Sequence, residues 1–183
     1  DTPYSAKEAL AMRALGEVLT IKLIEQLRES ESGVYGISAR GSMNKVPYGS
    51  YSFNIGFPCG PENAEKLTAS ALNELQKIID NGPEAKDLDK FKEASRLEYK
   101  ESLKDNRYWM AVLKRQYTDG VNPEEVFDFE AKLNALTVKE LQDVAKKYLA
   151  KDKGVTLDIS RRFDSGIITG AYATFTDVSA EEY

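Results

Sequence analysis

The feature that most constrains this sequence is a long apolar helical pattern near its start. Ser5 and Glu8 have the spacing of a capping box, which predicts a helix from about Ala6 to Glu29. A stripe of large side chains repeats at helical spacing and is widened by further apolar residues: Met12, Leu15, Leu19, Leu23 and Leu27, with Leu10, Ala14, Ile21 and Ile24. A helix that is apolar over so much of its circumference must be covered on more than one side. We therefore predict that it is the central helix of the fold.

A polar corner follows this helix and leads into a predicted strand. Gly33 ends the helical pattern, and Val34 to Ala39 has the composition of a strand. Arg28 lies in the last helical turn and Tyr35 lies seven residues later, at the start of the strand. A tight corner of this kind can bring both side chains to one edge of a sheet. The simpler interpretation is that Arg28 pairs with Glu29 or Glu31 and that Tyr35 packs against its neighbours.

The next segment predicts a hairpin. Residues Arg40 to Pro47 read as a polar loop, and apolar residues then alternate with small and polar ones from Ser50 to Phe57. This period of two is typical of a strand with one buried face. The two strands are close enough in sequence to pair as an antiparallel hairpin.

The remainder predicts several helices and at least one more strand. Turn and capping residues delimit five helical segments. The first runs from Pro61 to Gly82-Pro83, and the second begins near Glu84–Asp87, with Leu88, Phe91 and Leu97 on its inner side. The third is capped by Asp105-Asn106 and ends at Gly120, the fourth begins at Pro123, and the fifth begins with a Thr137/Glu140 capping box. Val155, Leu157 and Ile159 alternate as a strand, and Ala171 to Phe175 is a candidate further strand. The predicted fold class is α+β: one domain over residues 1–183, with an antiparallel-rich sheet and several helices packed on one face.

Composition excludes most kinds of autonomous catalytic site. The 183 residues contain no histidine and a single cysteine, Cys59, so the chain cannot form a Ser-His-Asp triad, a Cys-His dyad or a histidine zinc site. The net charge of −5 argues against nucleic acid as a partner, because nucleic acid selects basic surfaces. No apolar run approaches the ~18 residues of a membrane-spanning helix. The first residues do not form a signal peptide, although a precursor could have lost one, so the compartment stays open.

Several other residue groups have a structural interpretation that is simpler than a functional one. Acidic residues at the corner, such as Glu25, are typical of a solvated helix end. The aromatic residues Tyr99, Tyr108, Trp109 and Tyr117 could form a binding surface, but aromatic residues at helical spacing more often belong to a core.

An ordered set of motifs resembles one family. It comprises the stretch from Leu27-Arg28 to Tyr35, the strand Tyr51 to Phe57 with Pro58-Cys59-Gly60-Pro61-Glu62, Gly82-Pro83-Glu84, Asp105-Asn106-Arg107-Tyr108-Trp109 and Leu136-Thr137. Over residues 4–156 the chain resembles the C-terminal, non-catalytic half-domain of an insulinase-like, pitrilysin-type (inverted-zincin) zinc metallopeptidase.

This resemblance implies a division of labour between two halves of a peptidase. The N-terminal half of such enzymes carries the H-x-x-E-H helix with its zinc ligands and general base. The C-terminal half closes the chamber and contributes an arginine and a tyrosine to substrate binding. Arg28 and Tyr35 match that pair, so the resemblance implies that they hold a peptide carbonyl and the developing oxyanion. It implies no cofactor in this chain, zinc in the missing N-terminal half or in a partner subunit, and a peptide substrate. Bacterial relatives of this kind often work in the cell envelope.

The sequence also departs from the family pattern. The family half begins with a strand before its long helix, and residues 157–183 form an atypical tail. We hypothesise that the tail strand Ala171 to Phe175 occupies the missing sheet position. Two alternatives stay open: a structural or assembly subunit of the same fold without a peptidase role, and a generic α+β interaction domain.

Overall fold

A computed structural model describes residues 2–28, 36–150, 154–162 and 168–176 of the chain. In this part there are six α-helices: α1 Ala6–Leu23, α2 Ala64–Asn81, α3 Ala85–Ser102, α4 Asn106–Asp119, α5 Phe129–Ala135 and α6 Val138–Tyr148. A π-helical turn, Ile24–Arg28, continues α1, and short 3₁₀ segments at Pro61–Asn63 and Pro123–Asp128 precede α2 and α5.

Four strands form two separate antiparallel hairpins in the described residues. Strand β1 (Ser38–Asn44) pairs with β2 (Ser50–Gly56), with Gly41 opposite Phe53. Strand β3 (Gly154–Arg162) pairs with β4 (Ile168–Thr176). The α+β class predicted from the sequence is confirmed: the chain is mostly helical, and the β1–β2 sheet packs on α1.

The predicted helix boundaries agree with the structure because they depend on local hydrogen bonds. The Asp105 carboxylate accepts a hydrogen bond from the Arg107 amide at the start of α4. Thr137 and Glu140 form the reciprocal capping box of α6. Gly82 and Gly120 follow α2 and α4 with φ angles of 76° and 66°, a region that glycine adopts without steric cost.

Helix α1 and strand β1 approach each other closely through their backbones. A Cβ atom on Gly16 of α1 would lie 2.8 Å from the Gly41 amide nitrogen and 3.0 Å from the Ala39 carbonyl oxygen. A Cβ atom on Gly41 would overlap the Met12 carbonyl oxygen and lie 2.7 Å from Met12 Cγ. Two glycines therefore let the backbones of helix and strand approach each other directly.

The core is built around α1, as its apolar circumference predicts. The helix contacts β1, α2, α3 and α6, and Met12, Leu15, Leu19 and Leu23 are fully buried. The other elements contribute buried side chains to the same cluster: Ala39 and Met43 of β1, Leu67, Ala71, Ile78 and Ile79 of α2, Leu88 and Phe91 of α3, Leu133 of α5, and Leu141, Val144, Ala145 and Tyr148 of α6.

A polar cluster joins the start of α1 to the end of α6. The Glu8 carboxylate accepts hydrogen bonds from Lys147 Nζ at 2.7 Å and from the Tyr148 hydroxyl at 2.6 Å. The Tyr148 ring also packs against Tyr51 of β2, with centroids 4.8 Å apart. Hydrogen bonding to Lys147, followed by that to Tyr148, lowers the pKa of Glu8.

This cluster corrects the predicted capping box of α1. Ser5 does accept from the Glu8 amide, at 3.4 Å, so the N-cap is confirmed. The reciprocal bond is not formed, because the Glu8 carboxylate is engaged by Lys147 and Tyr148.

The structure also corrects the limits of the first strand. It was predicted over Val34 to Ala39, but the described strand runs from Ser38 to Asn44, and Gly36 and Ile37 precede it without strand structure. Residues Arg40 to Asn44, predicted as loop, are paired with β2. Because most of these residues are polar or small, the sequence did not predict a strand here. Pairing with β2 and contact with α1 hold the strand in place.

Two further expectations are wrong. Leu97 of α3, predicted to face inwards, is 64% exposed. Strand β4 contains the tail segment Ala171 to Phe175, but it pairs with β3 and not with the β1–β2 sheet, so the hypothesis that the tail fills the missing position in that sheet fails for the described strands. Strands joined by a short connection, here residues 163–167, pair with each other as a hairpin.

We predict that Gly41→Ala lowers the free energy of unfolding by about 2 kcal/mol, because the added methyl group overlaps backbone and side-chain atoms of Met12. Urea denaturation followed by circular dichroism measures the change. Gly56→Ala in the partner strand is the matched control, since its Cβ would meet no atom within 4 Å. Equal stability of the two variants would contradict the close packing of α1 on β1.

We predict that Glu8→Gln destabilises the protein by about 1 kcal/mol at pH 7, since this carboxylate, 28% exposed, loses charge-assisted hydrogen bonds. The pKa of Glu8 is lowered in the folded state, so its contribution is present above the unfolded-state pKa of ~4.3 and disappears as the pH falls through the folded-state value. Urea denaturation at pH 7 and pH 3 measures the difference between the two proteins. A difference that is the same at both pH values would contradict the role of the carboxylate charge.

Candidate functional site

The corner predicted to carry function begins at an irregular helix end. Arg28 is the last residue of the π-helical turn Ile24–Arg28. Such turns are rare, and they occur frequently at functional sites. The side chain of Arg28 and the whole of Tyr35, together with Glu29 and Glu31, lie outside the described residues. The proximity of Arg28 and Tyr35 therefore stays a prediction.

The far side of the corner is attached to α1 by one hydroxyl group. Thr20 Oγ1 accepts a hydrogen bond from the buried Ala39 amide at 2.7 Å. The same hydroxyl can donate to the Gly16 carbonyl at 2.9 Å or to the Ala39 carbonyl at 3.2 Å. Because Ala39 is the second residue of β1, this contact fixes the point at which the chain returns from the corner to the helix.

Ion pairs attach the near side of the corner to α3. Lys22, in the last turn of α1, lies 3.0 Å from Asp87 Oδ2 and also contacts Glu84. Asp87 is fully buried in the first turn of α3. Burial disfavours the charged form of Lys22, but its pairing with the carboxylates of Glu84 and Asp87 outweighs this effect and raises the pKa of Lys22. The pKa of Glu84 is lowered to about 2, and the largest cause is the hydrogen bond that its carboxylate accepts from Lys22. Lys22 and Glu84 are therefore charged at neutral pH.

The same network includes the π-helical turn itself. Glu25, the second residue of the turn, lies 3.6 Å from Lys22 Nζ and 3.8 Å from Lys90 Nζ. Lys90 also lies 3.2 Å from Asp87 Oδ1. The chain thus enters the corner from a helix end that is anchored to α3, and it leaves the corner at a residue that is bonded to α1.

A groove lies at the end of α1 that is opposite to the corner. It has a volume of about 1060 Å³ and is lined by the first turn of α1, the β1–β2 turn, α4 and the segment before α5, with Tyr4, Leu10, Val46, Tyr108 and Phe129 among its apolar residues. Since α1 has 18 residues, its two ends are about 27 Å apart. The groove is therefore not part of the corner at Arg28.

The described residues include no cluster of three or more His, Cys, Asp or Glu side chains arranged to hold a metal ion. Within the same residues, no helix is both long and apolar enough to cross a membrane. The described ammonium groups beside the corner, those of Lys22 and Lys90, are paired with carboxylates and serve to anchor the corner.

Sequence reasoning missed both anchors of the corner. Lys22 of α1 and Glu25 of the π-helical turn have the i,i+3 spacing of opposite charges, as do Asp87 and Lys90 of α3, and this spacing is a visible signal. The pairing of the two helices with each other was not visible. Two of the aromatic residues that could form either a binding surface or a core differ in burial. Tyr117 is exposed, whereas Trp109 is half-buried and donates its indole N–H to the Leu103 carbonyl at 2.9 Å.

Two family models match the chain, and each covers slightly more than half of it. Residues 1–95 match the peptidase M16 inactive domain. Residues 89–183 match the exopolysaccharide biosynthesis protein YbjH. The two matched ranges overlap within α3.

Two curated proteins are similar in sequence. The uncharacterized lipoprotein YjbH of Escherichia coli strain K12 is 42% identical over 81 residues, which cover 39% of this chain. A PQQL-like zinc protease of Arabidopsis thaliana is 27% identical over 114 residues, which cover 58% of this chain. The chain spans only 12% of the length of each.

Solved structures share the fold at low sequence identity. The periplasmic protease PqqL of Escherichia coli superimposes with a TM-score of 0.67 and 22% identity, over 81% of this chain and 16% of that protein. An inactive peptidase domain from Bordetella parapertussis gives a TM-score of 0.65 at 12% identity, over 97% of this chain and 88% of its own.

We predict that Thr20→Val lowers the free energy of unfolding by about 2 kcal/mol, because the buried Ala39 amide loses its acceptor. Amide hydrogen exchange at Ala39 should accelerate more than exchange elsewhere in β1. Thr118→Val is the matched control, since its exposed hydroxyl donates to the Lys114 carbonyl of its own helix. If exchange at Ala39 is unchanged in Thr20→Val, the hydroxyl does not hold the strand.

Proposed function

The chain belongs to the peptidase M16 inactive domain family through residues 1–95 and to the YbjH exopolysaccharide biosynthesis family through residues 89–183, and from the first of these we propose that it is the non-catalytic domain of a zinc metallopeptidase. In this role it closes the proteolytic chamber. It positions the peptide substrate through Arg28 and Tyr35.

The observation that carries the proposal is the position of Arg28 at an anchored helix end. The residue terminates a π-helical turn whose second residue is paired with lysines of α1 and α3. A side chain that binds substrate must be held in a defined position, because misplacement by about 1 Å costs much of the rate. The anchors on both sides of the corner satisfy that requirement for its backbone.

The chemistry of the two side chains fits the task. Arginine carries a permanent positive charge and a planar set of N–H donors, and the tyrosine hydroxyl donates one further hydrogen bond. Donors of this kind hold the carbonyl oxygen of a peptide and stabilise the negative charge that develops on it during attack. Neither residue provides a general base.

The remaining groups must then come from another domain or subunit. The sequence contains no histidine, and the described residues contain no metal-binding cluster. The similar proteases are much longer than this chain, which spans 12% of one and 16% of another. We propose that an N-terminal catalytic half or a zinc-bearing partner supplies the metal, its ligands and the base.

The cell envelope is the proposed compartment. Two similar proteins are described as a periplasmic protease and a lipoprotein. The periplasm is part of the cell envelope, and a peptidase domain there would act on peptides outside the cytoplasm.

A second candidate function is favoured by the YbjH match. Residues 89–183 belong to a family of exopolysaccharide biosynthesis proteins, and the lipoprotein relative is 42% identical over its matched stretch. In this alternative the chain is a structural or assembly unit that retains the peptidase fold without serving a peptidase. It requires no role for Arg28 or Tyr35.

The proposal predicts that Arg28→Ala and Tyr35→Phe each lower kcat/KM for a fluorogenic peptide about 10²-fold, in the complex of this chain with its zinc-bearing half. The loss is expected because each variant removes a donor that stabilises the transition state. Steady-state kinetics measure turnover, and urea denaturation verifies that both variants fold.

Arg13→Gln is the matched control for this experiment. Arg13 lies on the same helix and forms an exposed ion pair with Glu98 at 2.6 Å, far from the corner. Its loss should change turnover and stability little. Unchanged turnover in both Arg28→Ala and Tyr35→Phe would reject the substrate-binding role of the pair and leave the two residues structural.

A further inference from the structure

One fully buried carboxylate lies beside the corner without belonging to the proposed substrate-binding pair. Asp87 of α3 is 0% exposed. Aspartate is seldom fully buried unless it is paired, because removing its charge from water is costly. Its presence in the core therefore requires charged partners whose interactions offset this cost.

The partners are two lysines that approach Asp87 from different helices. Lys22 of α1 lies 3.0 Å from Oδ2, and Lys90 of α3 lies 3.2 Å from Oδ1. The side chain of Lys22 is 16% exposed, so its ammonium group is also largely withdrawn from water. Each carboxylate oxygen thus faces a separate cation.

Both lysines also face the π-helical turn. Glu25 Oε2 lies 3.6 Å from Lys22 Nζ, and Glu25 Oε1 lies 3.8 Å from Lys90 Nζ. The four residues form a closed arrangement of alternating charges in which Asp87 and Glu25 share the same two lysines. Both ion pairs of Glu25 therefore connect the turn to the lysines that also contact Asp87.

The turn also borders α2. It contacts that helix, and a cleft of about 400 Å³ is lined by residues of the turn, of α2 and of the ion-pair network, among them Gln26, Lys77 and Glu84. The ion pairs with Lys22 and Lys90 therefore act together with the contact to α2 in orienting the turn.

We infer that Asp87 is a positioning residue for Arg28: it holds Lys22 and Lys90, which hold Glu25 and thereby fix the π-helical turn that ends at Arg28. This inference rests on the proposed role of Arg28 in substrate binding. Asp87 itself needs no contact with the substrate.

Amide hydrogen exchange tests the anchoring independently of activity. In Glu25→Gln, exchange at residues 25–28 should accelerate about threefold, because two partly exposed ion pairs are lost. In Asp87→Asn the acceleration at these residues should exceed about tenfold, because a buried ion-pair network is broken. Core amides such as that of Leu15 should be unaffected in Glu25→Gln.

Glu98→Gln is the matched control. It removes an ion pair between the same two helices, Arg13 to Glu98, at a distance from the turn. Exchange at residues 25–28 should stay unchanged in this variant. If Glu25→Gln and Glu98→Gln give the same exchange at the turn, the inference is overturned, even where Asp87→Asn fails to fold.

A double-mutant cycle in the complex with the zinc-bearing half connects the turn to Arg28. Glu25→Gln alone should lower kcat/KM for the fluorogenic peptide about threefold, and it should have no effect in an Arg28→Ala background. Additive losses would overturn the positioning role. If Arg28→Ala leaves turnover unchanged, the proposed function fails, and the exchange data still decide whether Asp87 orders the turn.

Discussion

The direct contact between α1 and β1 is the constraint on which the rest of the structure depends. Gly16 and Gly41 bring the helix and strand backbones so close that no side chain fits between them. Thr20 then bonds the strand to the helix at Ala39. With the sheet fixed on one side of α1, the apolar residues on its remaining surface are left to pack against α2, α3 and α6.

The contact between α1 and β1 helps to define the position of the corner. One end begins at a helix terminus paired with α3, and the other end is bonded to α1 through Thr20. The segment between them therefore starts and finishes at defined points. Loops that carry function are commonly mounted on a rigid scaffold in this way, since the scaffold holds the side chains that the loop presents.

The two family matches meet inside one continuous fold. The change from one matched range to the other falls within α3, residues 89–95. The inactive peptidase domain from Bordetella parapertussis extends across that boundary, over 97% of the chain, at only 12% identity. Packing tolerates such sequence divergence when apolar volume and patterning are retained.

The sequence by itself determined the features that depend on neighbouring residues. Ser5, Thr137, Gly82 and Gly120 delimit helices because caps and turns are made within a few positions of the chain. The stripe on α1 predicted a central helix, and the alternation before Phe57 predicted β2.

Only the tertiary structure decided the features that depend on distant partners. The limits of β1 were predicted wrongly because most of its residues are polar or small. Its pairing with β2 and its contact with Gly16 hold the strand in place. Lys22 and Glu84 are 62 residues apart, and Glu8 and Tyr148 are 140 apart, so no local pattern signals their pairing. Such contacts form once the core has brought the helices together, because burial then makes the pairing of each charged group with a partner necessary.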